Sequence, residues 1–490
     1  MITTHRRTRL LLPGLILLAG SLTACTAGCT GTVGGGASNP SDALVGDIAL
    51  GDDDGGTSGH DATEPGTGED ASPTSEDDGA VRDSESGLDA ESERDAAPGQ
   101  DAESRPDGGP VPDAGTSPYS CAGWVDLGGP LDFARGNYAS TPSLSVDGTG
   151  RLLATWHETV PGENYNIYVK EWTGREWRLV GEALDAVRAS GTQSPEIRVD
   201  PFGNPIVVWT EGRDLYASQH VQGAWVRIGD RIDVSEAEDA YPDLPSLAID
   251  PQGRPIVAWT EWDSSLKSEI YVKRWSGSAW EFLGARALNV DPADRASWPS
   301  VATGPDGTVF VAFDEVTREN GHRTFVMRWS GAVWSVVSGG AVVTTSGVET
   351  YSPSLVVDRA GAPVIALYQI AQSTSESSSH VFRYTQDTWE PVGGAIDVPP
   401  NVDTVGPVLT LDANDHPVVA FTESAEQNSV RVAGWTGSAW EALGDALDLA
   451  PEQTAFAPAI ALDPRGKPSV AWTEWDPTTE TMNINVKRCE

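Results

Sequence analysis

Leu244-Pro245-Ser246-Leu247-Ala248-Ile249-Asp250-Pro251-Gln252-Gly253-Arg254-Pro255-Ile256-Val257-Ala258-Trp259-Thr260-Glu261, with the Tyr271-Val272-Lys273-Arg274-Trp275-Ser276-Gly277-Ser278-Ala279-Trp280 that follows it, decides the fold of this chain. The same wording recurs seven times. The copies open at Pro142, Pro195, Pro245, Pro299, Pro353, Pro407 and Pro458, spaced 50–54 residues apart. A fixed period in that range marks a propeller, a solenoid or an array. Each copy holds four short apolar runs; in the third the spacing predicts strands over 246–249, 256–261, 269–275 and 280–283. Val, Ile, Trp and Tyr fill the runs, as strands prefer. Asp250-Pro251-Gln252-Gly253 and Ser276-Gly277-Ser278-Ala279 are turn compositions between them. Ile256-Val257-Ala258-Trp259 is apolar on both faces, the pattern of a strand covered on both sides. Four-stranded sheets repeated radially make a β-propeller.

The chain ends give the blade count. The seventh copy stops after its third strand, at Asn485-Val486-Lys487-Arg488-Cys489, and Gly123-Trp124-Val125-Asp126-Leu127-Gly128 matches the missing fourth. The expected fold is therefore all-β: a seven-bladed β-propeller, four antiparallel strands per blade, with an N-terminal strand completing the C-terminal blade. In that alignment Cys121 and Cys489 fall about two residues apart in a continuous copy. This predicts a Cys121–Cys489 disulfide, which an exported chain permits.

Residues 1–24 read as a secretory signal: Arg6, Arg7 and Arg9, then an apolar stretch from Leu10 to Leu22 that is too short to span a membrane. Leu22-Thr23-Ala24-Cys25 resembles the lipobox of bacterial lipoproteins, and that resemblance implies a lipid on Cys25 and anchoring to a membrane. Cys29 has Thr26 where that family wants an aliphatic and is assigned no lipid. Residues 25–118 then form a linker. From position 36 to 118 it carries 22 acidic and 3 basic residues, and too little apolar surface to offset ordering. It reads as a disordered tether with a span near ~50 Å, which its charge would extend. All 18 tryptophans lie beyond residue 120, so the propeller occupies 119–490. A net charge of −40 argues against nucleic acid and anionic lipid. The expected location is the bacterial envelope, at the outer membrane or cell surface, and the expected state is a monomer.

The turns joining the first two and the last two strands of each copy are short and uniform; the other loops are long and divergent. Variable loops on a rigid scaffold are where binding residues gather. Tyr138, Tyr241, Trp298, Tyr351 and Phe456 precede the opening prolines and are expected in those loops. Trp262-Asp263 and Trp475-Asp476 extend second strands toward the same face. Aromatic rings beside carboxylates suit a sugar or a protein partner. The residues repeated through the copies, with Gln369 in place of the glutamate in the fifth, read as structural. They are the fourth-strand tryptophans, the Asp of the first turn, and the carboxylates Glu158, Glu211, Glu261, Glu315, Glu423 and Glu474. The seven histidines lack metal-ligand spacing, and no nucleophile elbow, zincin motif or phosphate loop occurs. No catalytic residue, metal or cofactor is assigned.

The stretch 244–253 looks like the matching hairpin of NHL-type propellers, although the rest of the copy is longer and richer in Trp. The hairpin Trp275–Trp280 occupies the place of the Asp-box of sialidase-type propellers but lacks its aspartate, so sialidase chemistry is not implied. The resemblance extends to a class, bacterial surface lipoproteins with repeat propellers, and names no activity. The expected function is recognition of a glycan or a protein through the divergent loops. The alternatives are a glycosidase or lyase using carboxylates of that face, and a structural envelope scaffold.

Overall fold

The computed structural model describes residues 121, 123–159, 165–185, 191–235, 237, 239–284, 287–317, 321–396 and 402–490. The signal, Cys25, Cys29 and the linker lie outside the described residues. Seven antiparallel four-stranded sheets follow one another, each with its strands in order a-b-c-d. In blade 3 these are Tyr241–Ile249, Pro255–Trp262, Ser268–Trp275 and Trp280–Phe282. The a strands touch one another in a closed ring, from Ala139–Val146 in blade 1 round to Ala455–Leu462 in blade 7. They therefore line the central channel. Trp124–Asp126 pairs with Thr481–Cys489 as strand d of blade 7, and Cys121 and Cys489 form a disulfide with Cα atoms 5.4 Å apart.

One correction concerns strand a. It begins at Tyr241, five residues before the apolar run starting at Ser246, and crosses the opening proline through a bulge between Asp243 and Ser246. Proline has no N–H to give the ladder, and the residue before it takes a left-handed conformation. Every blade repeats this, at Thr141, Ser194, Leu244, Trp298, Ser352, Gly406 and Ala457. Tyr241, Trp298, Tyr351 and Phe456 consequently stand in the innermost strands, not in loops; Tyr138 alone precedes its strand.

Two motifs of the repeat act between elements. In the Trp-Thr-Glu triplet at the end of strand b, the indole of Trp259 donates to Glu261 at 2.6 Å. Glu261 in turn accepts the N–H groups of Val234 and Ser235, in the loop entering its own blade. Glu158 and Glu474 hold their loops in the same way, and Glu315 does so with Phe313 in place of the tryptophan. At the outer rim, six of the seven strand-d indoles staple their blade to the one before. Trp177, Trp225, Trp280 and Trp440 donate to the carbonyls of Leu127, Val180, Ile228 and Val392 at 2.6–3.0 Å; Trp124 and Trp334 donate to Leu443 and Leu283.

Candidate functional site

In a repeat protein, residues that recur serve the scaffold, and the candidates for a site are the places where the repeat is broken at one end of the channel. The a–b and c–d turns share one face. Its a–b aspartates are consumed by their own turns: Asp250 takes the N–H groups of Gln252 and Arg254 through one oxygen and the Arg254 guanidinium through the other. An open hollow on this face, lined by Asp147, Asp200, Asp250 and neighbouring turn residues, therefore offers no free carboxylate. The opposite mouth, where the d–a and b–c loops meet, carries the departures.

The first departures are at the left-handed rim position. Six of its occupants are Thr, Ser, Leu, Ser, Gly and Ala; the seventh is Trp298, half-buried, with φ 57°. A bulky left-handed residue is costly and uncommon. The second departures are at the middle of the Trp-Thr-Glu triplet. Thr210, Thr260, Thr422 and Thr473 keep the threonine, whereas blades 1, 4 and 5 hold His157, Asp314 and Tyr368, all buried.

Two of the triplet departures meet at the seam between blades 4 and 5, and Trp298 stands on strand a of blade 4 next to Ser297, the register partner of Asp314. Asp314 accepts the Thr324 hydroxyl at 2.7 Å and, across the seam, the N–H of Ser352 at 2.7 Å. Burial pushes its carboxyl up to about 8, despite those two bonds. Tyr368 stacks on Tyr351 at 5.2 Å, and Tyr351 meets His322 at a tilt at 4.5 Å. The Tyr351 hydroxyl donates to Glu349 at 2.7 Å, and Gln372 donates to the other oxygen of that carboxylate at 3.3 Å. Burial, and then Glu349, raise the Tyr351 phenol; burial lowers His322. The seam is held firm by Thr324 N–H to Thr350 at 2.7 Å and by Arg323, which donates to the Val348 carbonyl. In blade 1, His157 bonds the rim hydroxyl of Thr141 at 2.8 Å and meets Tyr165 edge-on at 5.1 Å. Burial brings this imidazole down to about 4, so it is neutral at pH 7.

The residues expected from sequence are brought to this mouth with different roles. Tyr241 stacks on Trp262 at 6.3 Å. Tyr351 offers its hydroxyl, because its ring already packs against two others. Phe456 and Trp475 lie half-buried on strands a and b of blade 7, and Tyr138 at the start of blade 1. Asp263 accepts the N–H groups of Ser265 and Lys267, and Asp476 those of Thr478 and the Asn483 amide; both carboxylates shape turns. Sequence reasoning missed His157, Asp314, Tyr368, His322, Glu349 and Phe133. Phe133 is 54% exposed and stacks at 4.5 Å on Tyr168. The signal for the three triplet residues was present in the aligned copies as a broken threonine. Among the described residues no three His, Cys, Asp or Glu side chains converge as a metal ion would require.

No protein-family model matches the chain, and no curated protein matches it. The NHL-type and sialidase-type likenesses thus remain likenesses of single hairpins. Solved structures do share the architecture. The chain is similar to an ulvan lyase, a polysaccharide lyase, with a TM-score of 0.50 at 11% identity over 74% of this chain and 95% of that one. A protein of unknown function from Dyadobacter fermentans superposes at 0.46, with 11% identity over 74% and 97% of the two chains. An α-L-arabinanase from Penicillium chrysogenum does so at 0.43, with 15% identity over 66% and 100%. At such identities the likeness is one of fold.

Proposed function

We propose that the propeller recognises a carbohydrate chain at the loop-bearing mouth of its channel. The observation that carries the reading is the distribution of the departures. Tyr241, Trp262, Trp298, Tyr351 and Tyr368 stand on blades 3–5. Phe456, Trp475, Phe133, Tyr138 and His157 stand on blades 7 and 1 or the loop between them. Blades 2 and 6 contribute none, and their rim residues are Ser194 and Gly406. Two aromatic banks thus face each other across the mouth, with a gap at either end. Rings suit the apolar faces of pyranoses, and the fixed hydroxyl, amide and carboxylate groups of Tyr351, Gln372 and Glu349 suit their hydroxyls. The ulvan lyase of similar fold has been captured with the saccharide -[GlcA(1-4)Rha3S]-, which fits the reading without carrying it.

The test is binding of the oxidised protein to a broad polysaccharide panel by affinity electrophoresis. Retardation by a particular polymer, lost in Trp298→Ala and kept in Phe202→Ala on the opposite face, supports the reading. Absence of retardation by every polymer refutes it. Incubation of a retained polymer with the protein, followed by reducing-end and 232–235 nm assays, separates binding from cleavage (the ultraviolet band marks the unsaturated ends a lyase leaves).

In the same reading the protein is exported and lipid-anchored through Cys25, with the acidic linker as tether and the mouth directed outward. Metabolic labelling with a fatty-acid probe tests this: label present in the parent and absent in Cys25→Ser is the expected result.

A further inference from the structure

The channel wall carries a second set of links between blades. The residue after the opening proline points at the next blade and accepts an N–H two positions after that blade's own proline. Ser143 takes Ile197, Glu196 takes Leu247, Ser246 takes Val301, Ser300 takes Leu355 and Ser354 takes Leu409, at 2.5–3.3 Å. These are the seams from blade 1 to blade 6. In blades 6 and 7 the same position holds Val408 and Ala459, whose side chains cannot accept a hydrogen bond. Both seams of blade 7 therefore lack the link that every other seam has.

Blade 7 is also the one blade assembled from two distant stretches of chain. Its strand d is three residues long, Trp124–Asp126. Outside its sheet pairing that strand is joined to the body by the Trp124 indole on Leu443, by the Trp177 indole of blade 1 on the Leu127 carbonyl just past its end, and by the disulfide, whose cysteines are 368 residues apart. Apolar packing on both sides of the blade is intact: Ala459, Ala471, Ile484 and Val486 against blade 1, and Ile460, Val470 and Trp472 against blade 6.

We infer that blade 7 is the breach point of the ring and that the Cys121–Cys489 disulfide decides whether it opens, which makes the propeller's closure redox-sensitive. A thiol reductant in the dithiol class converts the disulfide to two thiols and is itself oxidised to a disulfide; two electrons and two protons pass to the cysteines. The ring then depends at blade 7 on packing, on the two indole staples and on a three-residue strand. Proteins open locally where such ties are fewest. Because Phe456 and Trp475 ride on this blade, opening would also dismantle one bank of the mouth, a consequence that rests on the proposed function and that the following test does not need.

The test is hydrogen–deuterium exchange of the full chain, oxidised and after reduction with dithiothreitol. Fraying of 124–126 does not amount to opening of the blade, so the readout is the middle of the blade, 455–462 and 468–476, against 241–249 and 255–262 of blade 3. The expected result is exchange about tenfold faster or more in the blade 7 strands, with blade 3 unchanged. Cys121→Ser/Cys489→Ser without reductant should reproduce it. Adding the absent acceptors, Val408→Ser with Ala459→Ser, should return part of the protection under reduction. Equal acceleration in all blades, or acceleration confined to 124–126 and the end of 481–489, overturns the inference.

Discussion

Ser338→Gly should stabilise the propeller, and the reason lies in one failed staple. At six seams the residue after the carbonyl that accepts the rim indole is a glycine with φ between 69° and 86°: Gly128, Gly181, Gly229, Gly284, Gly393 and Gly444. A Cβ on Gly181, Gly229, Gly284 or Gly393 would lie 2.5–2.7 Å from a tryptophan ring of the next blade, closer than real contacts allow. Blade 4 has Ser338 there, at φ 62°, and blade 5 answers with the smaller Tyr384 beside Trp389. Room is made, but the Trp389 indole nitrogen is buried without a hydrogen-bond partner, alone among the seven staples. Removing a left-handed side chain recovers about 1 kcal/mol. Pairing the buried donor with the Val337 carbonyl recovers about 1–2 kcal/mol. The added freedom of glycine in the unfolded chain takes back about 0.5–1 kcal/mol. The net gain is about 1–2 kcal/mol. With a urea slope of roughly 3 kcal/mol/M for a domain of this size, the unfolding midpoint should rise by roughly 0.3–0.6 M. A paired control isolates the bond: Trp389→Phe should cost less than Trp280→Phe, because Trp280 has a bond to lose. An unchanged or lowered midpoint in Ser338→Gly, or equal costs for the two Phe variants, would refute the reasoning.

The pH dependence of stability should carry the mark of Asp314. Its carboxyl titrates at about 8 in the fold, raised by burial, and near 3.9 in the unfolded chain. The fold therefore holds the extra proton, and its contribution is complete at acid pH and is lost as pH rises through about 8. Thermal scans from pH 5 to 9 should show Asp314→Asn flatter than the parent; parallel curves would contradict the assignment. Ser246→Ala removes the acceptor for Val301 at the channel seam and should cost about 1–2 kcal/mol in a urea titration. Ala459→Ser in the oxidised protein should move the midpoint the other way. Loss of the disulfide in Cys121→Ser/Cys489→Ser should cost up to about 5 kcal/mol on the chain-entropy account, given so long a loop.

The blade count, the strand order, the closure and the disulfide were all legible in the chain. They follow from a repeat, and a repeat states each structural demand seven times over. The course of strand a was not legible, because Leu244-Pro245 reads as a strand start. Only the fold reveals that the ladder steps over the proline by a bulge and resumes. The displacement matters to function, since it moves Trp298, Tyr351 and Phe456 from loops to the channel wall. The partners of Asp314 were hidden for a different reason. Thr324 and Ser352 come from strand c of its own blade and strand a of the next, and no spacing along the chain brings those three together.

Departures from a repeat are of two kinds, and hydrogen bonding separates them. Ser338, Val408 and Ala459 replace a residue that serves a link, and the link is lost with nothing new made; such changes are tolerated because six or five other seams retain theirs. His157, Asp314 and Tyr368 replace a buried threonine with ionisable groups, and each is met by partners that suit it: Thr141, Thr324 with Ser352, and the ring of Tyr351. Burying an ionisable group is unfavourable unless it is compensated. Drift alone would leave such a group unmatched, as it left the Trp389 nitrogen. Compensation at three positions, all facing one mouth and none facing the other, is what a site requires and a scaffold does not. On the proposed reading, the site lies at the blade 4–5 seam, with blade 1 opposite it.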